Sequence, residues 1–138
     1  MDTYNINDSE FVNSDMYKNF INENPGRGYL KIRAYSASQA VPISGLQVVV
    51  SKNINNARVI FFEGATNESG VIEQISLPAP SLSNDNSIVP NTVSYDISTT
   101  YLPNNTKGLY KVNVYDGVYV IQTISIVPEL MVGDFNGN

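Results

Sequence analysis

Hydrophobic and polar positions divide this chain into a helical start and a β-rich remainder. Phe11, Val12, Met16, Phe20 and Ile21 recur one, four and five residues apart, which is one stripe of a helix with about 3.6 residues per turn. Asn7, followed three residues on by Glu10, predicts the cap of that helix. Asn24-Pro25-Gly26 predicts its end, because proline disfavours helical angles in the residue before it. The stripe is that of one short packing helix.

From Gly28 the period changes to two. Leu30, Ile32 and Ala34 alternate with Lys31, Arg33 and Tyr35, a strand with one buried and one wet face. Ala40-Val41-Pro42-Ile43-Ser44-Gly45 predicts a corner, with Pro42 fixing φ and Gly45 permitting the tight bend, into a second strand at Leu46–Val50. Arg58–Glu63 is apolar on both faces, so a third strand there should share a core with the helix or another layer. Thr66-Asn67-Glu68-Ser69-Gly70 reads as a turn before a fourth strand at Val71–Leu77, which Pro78-Ala79-Pro80 should end. Residues 78–92 read as the longest and least ordered loop. Val93, Tyr95, Ile97, Thr99 and Tyr101 alternate with small polar residues as a fifth strand, and Leu109–Tyr115 is a sixth. Asp116-Gly117 predicts a type I′ hairpin into a seventh at Val118–Val127.

Seven short strands without long crossover helices predict a mainly β fold, an antiparallel Greek-key sandwich of two sheets. The chain then divides into an N-terminal helical extension (1–27), a β-sandwich domain (28–128) and a flexible C-terminal tail (129–138). Its 138 residues suit a single domain, and 42% hydrophobic residues supply the core. Eighteen Asn fall between the apolar runs, where tolerance of left-handed angles gives them a turn-forming role.

Composition narrows function mainly by exclusion. With no Cys and no His, thiolate nucleophiles, the usual zinc and haem ligands and His-based catalysis are all removed. A net charge of −5 has the wrong sign for nucleic acid, and no apolar run reaches the ~20 residues of a membrane-spanning helix. The start, Met1-Asp2-Thr3-Tyr4-Asn5, lacks the basic and apolar regions of a signal peptide.

Glu63, Glu68, Glu73, Asp96 and Asp116 are the candidates for a carboxylate pair of the kind glycoside hydrolysis needs, and all sit where turns or wet strand faces account for them. Asp134, Asn136 and Asn138 alternate like the opening of a calcium loop, but the later glycine and the bidentate acid are missing, so neither a metal nor any cofactor is expected. Outward tyrosines at Tyr29, Tyr35, Tyr101, Tyr110, Tyr115 and Tyr119 suit a sugar-stacking platform or ordinary cross-strand pairing. Arg27, Lys31 and Arg33 form a small basic patch that suits an acidic partner, an anionic wall polymer or a solvated strand face. Tyr29, Lys31, Arg33, Tyr35, Tyr101 and Tyr110 are thus the candidate partner or glycan surface. Leu130-Met131-Val132, after the last strand, is the candidate processing region.

The order Gly28-Tyr-Leu-Lys-Ile-Arg-Ala, Ala40-Val-Pro-Ile-Ser-Gly-Leu-Gln-Val-Val-Val and Thr66-Asn-Glu-Ser-Gly resembles the carboxypeptidase-regulatory-like, transthyretin-like sandwich family over roughly 28–128. Ile75-Ser-Leu-Pro-Ala-Pro, Tyr95-Asp-Ile and Val114-Tyr-Asp-Gly-Val-Tyr-Val-Ile-Gln-Thr-Ile-Ser-Ile-Val-Pro128 resemble, more narrowly, the non-catalytic N-terminal domain of clostridial spore cortex-lytic enzymes. This resemblance implies a pro-region that precedes a peptidoglycan-cleaving half in the spore cortex or coat region and is removed by a germination protease. Its implied partners are that catalytic half, the protease and peptidoglycan, with no enzyme activity of its own. The alternative is a stand-alone cell-wall or glycan-binding module.

Overall fold

The computed structural model describes residues 2–37, 40–82 and 91–127. Its elements are β1 (Thr3–Asn5), α1 (Ser9–Val12), α2 (Asp15–Glu23), β2 (Gly26–Ser36), β3 (Gln47–Ile54), β4 (Ala57–Ala65), β5 (Val71–Ala79), β6 (Val93–Tyr101), a 3-10 turn (Leu102–Asn104), β7 (Thr106–Val114) and β8 (Tyr119–Ile126). All seven strands expected from the period-two runs are present, with β1 added ahead of the helices. They form two sheets, ordered β1-β4-β3-β6-β7 and β5-β2-β8, which face each other as a sandwich.

Pairing departs from the antiparallel expectation at two places: β1 runs parallel to β4, and β2 runs parallel to β8. The second departure overturns the Asp116-Gly117 hairpin. Gly117 has φ +75° but Asp116 does not share a positive φ, and β7 pairs with β6 in one sheet while β8 pairs with β2 in the other. The dipeptide is a sheet-to-sheet corner. Asp116 Oδ1 accepts from the Arg27 amide (3.0 Å) and the Gly117 amide donates to the Arg27 carbonyl (2.8 Å), fastening the corner to the start of β2. The two-residue I′ geometry occurs instead at Asn55-Asn56, with φ of +51° and +65°, between the paired residues Ile54 and Ala57.

The helical start is divided in two. Asp8, one residue after the expected cap, accepts from the Glu10 amide to begin α1, and Ser14 Oγ accepts from the Tyr17 amide to begin α2. Asn24 ends α2 just before Pro25, as expected. The five-against-three mismatch of the sheets leaves the β1–β4 side of the larger sheet for the helices to cover. There Phe20 packs on Phe61 (5.7 Å between centroids), Tyr17 on Phe61 (6.4 Å) and Tyr4 on Phe11 (4.9 Å), so helix and third predicted strand do share a core. Pro78 does not end β5; it pairs with Arg27 within the strand, which is possible because β5 is an edge.

The two motif segments that carried the family resemblance lock together. Thr66, buried at the end of β4, accepts from the Leu46 amide (3.0 Å) and donates to the Ile43 carbonyl (2.7 Å) through its hydroxyl. Its backbone exchanges further bonds, Thr66 amide to Leu46 carbonyl and Gly45 amide to Thr66 carbonyl. Gly70 then presents its carbonyl to the Ala34 amide (2.8 Å), tying the turn to the C-terminal part of β2.

Tyr95 joins the sheets from the core: its buried hydroxyl donates to the Pro78 carbonyl of β5. Burial pushes its phenol well above the ordinary tyrosine value. Unfolded, that phenol ionises near pH ~10, while folded it keeps its proton, so above that pH the unfolded chain binds fewer protons and is favoured. Stability contributed by this group is therefore complete below pH ~10 and is expected to fall by about 1.4 kcal/mol per pH unit above it. Urea titrations at stepped alkaline pH should show Tyr95→Phe with a shallower fall than the native chain; equal slopes would refute the assignment.

Candidate interaction face on the three-stranded sheet

The alternation along β2 buries Leu30, Ile32 and Ala34 and turns Tyr29, Lys31, Arg33 and Tyr35 outward. Parallel register with β8 sets Tyr29 beside Tyr119, Lys31 beside Ile121, Arg33 beside Thr123 and Tyr35 beside Ser125. One face thus carries a graded surface. At one end the Tyr29 and Tyr119 rings stack with centroids 4.7 Å apart and planes 21° apart. Tyr119 is 66% exposed and its neighbour Ile121 58%.

Cations occupy the remainder. Arg27 Nε donates to Ser76 Oγ (2.9 Å) and its Nη2 to the Ser76 carbonyl (3.0 Å) on β5. Lys31 Nζ lies 3.4 Å from Glu73 Oε1, also on β5. The Arg33 side chain is exposed and makes no hydrogen bond or ion pair among the described residues. It borders a shallow depression of about 330 Å³ whose other walls include Tyr35, Pro42, Ser69 and Thr123. The arrangement can stack a planar or apolar group at one end and take up a carboxylate at the other.

Four of the six surface residues expected from sequence, Tyr29, Lys31, Arg33 and Tyr35, come together here. Tyr101 and Tyr110 do not, which corrects the expected surface. Tyr101 follows the inward parity of Tyr95, Ile97 and Thr99 on β6, and Tyr110 on β7 pairs with Ile97, so both turn toward the core and pack against it. Leu130, Met131 and Val132, like Asp134, Asn136 and Asn138, lie outside the described residues. Ile121 was missed as a surface residue because Val118–Val127 is apolar at both parities over its first half; its lack of any charge was the available signal.

The carboxylates are distributed over separate elements. Glu63 accepts from Asn5 Nδ2 (3.0 Å), Glu73 pairs with Lys31, Asp96 pairs with Lys111 (2.9 Å), and Asp116 holds the Arg27 amide. Among the described residues no three His, Cys, Asp or Glu side chains gather as a metal site, and no helix is long and apolar enough to cross a membrane.

No protein-family model matches the chain, and no curated protein matches it. Among solved structures, 5-hydroxyisourate hydrolase of Klebsiella pneumoniae aligns over 72% of this chain and 90% of its own, at 14% identity and a TM-score of 0.47. (S)-allantoin synthase aligns over 75% of this chain and 42% of its own, at 12% identity and a TM-score of 0.45, so this chain spans less than half of that protein. The chain itself is a two-sheet β-sandwich with an N-terminal helical cover.

Proposed function

We propose that this chain is a non-catalytic docking domain, the N-terminal pro-region of a spore cortex-lytic enzyme, and that it meets the catalytic half through the outer face of its three-stranded sheet. The carrying observation is the exposed pair Tyr119 and Ile121, set beside Tyr29 on a sheet face whose other half is cationic. Side chains of that size left in water on adjacent positions mark a contact surface. Leu109, though more exposed on the other sheet, stands between Lys107 and Lys111 rather than beside a second apolar side chain of its own strand face. The sequence resemblance supplies the partner, a peptidoglycan-cleaving half held inactive, folded or localised in the spore until a germination protease separates the two.

Purified chain added to the mature cortex-lytic hydrolase should slow lysis of decoated spores. The double variant Tyr119→Glu, Ile121→Lys should inhibit about tenfold less well while melting within a few degrees of the native chain, since Ile121 is exposed and Tyr119 gives up only its stacking on Tyr29. No effect of the native chain, or equal effects of both chains, would count against the reading.

The stacked Tyr29 and Tyr119 rings favour a second reading, a glycan platform. It expects saturable sedimentation with peptidoglycan that weakens in Tyr29→Ala and Tyr119→Ala, and an absence of sedimentation removes it.

A further inference from the structure

Four strand edges bound the two sheets, and three carry features that discourage pairing with another chain. β1 is only three residues long. β5 contains Glu73 and Pro78 and has a register shift against Leu30 and Ile32. β7 contains Lys107 and Lys111. β8 has none of these: Tyr-Val-Ile-Gln-Thr-Ile-Ser-Ile holds no charge and no proline, and its register with β2 runs unbroken from Tyr29 to Ser36.

The open side of β8 can be assigned residue by residue. The carbonyls of Val118 and Ile126 accept from Tyr29 and Ala37, so the even-numbered residues bond to β2. The amides and carbonyls of Tyr119, Ile121, Thr123 and Ser125 then point away from β2, and among the described residues no strand pairs with them. The Thr123 carbonyl instead takes a bond from its neighbour's Gln122 Nε2 (3.1 Å), as an acceptor on an unpaired edge does.

We infer that this edge accepts an extended segment of another polypeptide as an added strand, with a carboxylate of that segment held by Arg33. The inference rests on the docking reading above and names the contact by which docking occurs. Arg33 supplies the charge argument: it is exposed, has no partner among the described residues, and stands beside Thr123, a side chain small enough for the guanidinium to reach over it. A strand added at about 4.8 Å beyond β8 places a Glu side chain within that reach. A second copy of this chain suits the edge poorly. It would bring together two molecules of net charge −5 and, with the strands aligned at their centres, two Arg33 groups.

The test uses the full chain and a fluorescein-labelled peptide of about ten residues, alternating valine and threonine around one central glutamate, read by fluorescence anisotropy. Saturable binding is expected, about tenfold weaker when lysine replaces the glutamate, and lost when the peptide amides on both edges are N-methylated. Arg33→Glu should reverse the preference toward the lysine peptide. Thr123→Pro, which removes an edge-facing amide and no bond to β2, should abolish binding; if that variant does not fold, the N-methylated peptide on the native chain decides. Absence of saturable binding up to about 1 mM, or equal binding of the N-methylated peptide, overturns the inference. If Thr123→Pro still slows the hydrolase while the Tyr119→Glu, Ile121→Lys chain does not, docking is through the face alone: the edge inference fails and the docking reading stands.

Discussion

Gly70→Ala is expected to destabilise the chain by about 3 kcal/mol or more, because Gly70 is the buried end of an otherwise exposed turn. Two costs add at this residue. Gly70 has φ +77°, where a Cβ costs about 1–2 kcal/mol. That Cβ would also stand 2.4 Å from the Ala34 carbonyl oxygen and 3.1 Å from the Ile43 amide nitrogen. The Ala34 carbonyl accepts from Ile43 (3.0 Å) while the Ala34 amide donates to Gly70, so relief of the clash must displace one bond or the other in the C-terminal part of β2. Neither neighbour is a flexible side-chain end. The measurement is the urea midpoint at unchanged slope, and a loss below about 1 kcal/mol would mean the turn is not the anchor described.

Thr66→Val is expected to cost about 2–4 kcal/mol with almost no change of shape. The substitution deletes one hydroxyl that serves two buried backbone groups, the Leu46 amide and the Ile43 carbonyl, and provides neither with a replacement. Both groups belong to the corner between β2 and β3, so the loss loosens the link that positions Pro42 and Ser69 beside the candidate face. Thr66→Ser keeps the hydroxyl and should lose no more than about 1 kcal/mol. A valine variant as stable as the serine variant would show that the bonds contribute packing shape only.

These two residues also show how far the sequence was legible. Pro42, Gly45, Thr66 and Gly70 were readable as turn formers because their chemistry is local, a fixed φ, a positive φ or a hydroxyl that bonds nearby backbone. That the two turns bond each other follows from sheet pairing, which local pattern does not contain. The same distinction explains the failures. Asp116-Gly117 has hairpin chemistry, yet the strands on either side enter different sheets, and the parallel pairing of β2 with β8 brings together residues some 90 positions apart. The helical stripe was visible as one period, but Ser14 supplied a second cap within it. Residue type alone places Tyr101 and Tyr110 outward, whereas parity from Tyr95 and Ile97 turns them inward.

The candidate face was half readable for the same reason. Alternation along β2 placed Tyr29, Lys31, Arg33 and Tyr35 on one side without knowledge of any partner strand. Tyr119 and Ile121 join them only through the register with β8. The unblunted edge is a comparison among four edges and required the sheet order.

Amide hydrogen exchange of the full chain, with and without the catalytic half of a spore cortex-lytic hydrolase, tests the central claim most directly. The account predicts slowed exchange on binding at Tyr119, Ile121, Thr123 and Ser125, whose amides face the open edge, with β1 and β7 unchanged. Slowed exchange confined to the five-stranded sheet, or no change at any residue, would contradict it.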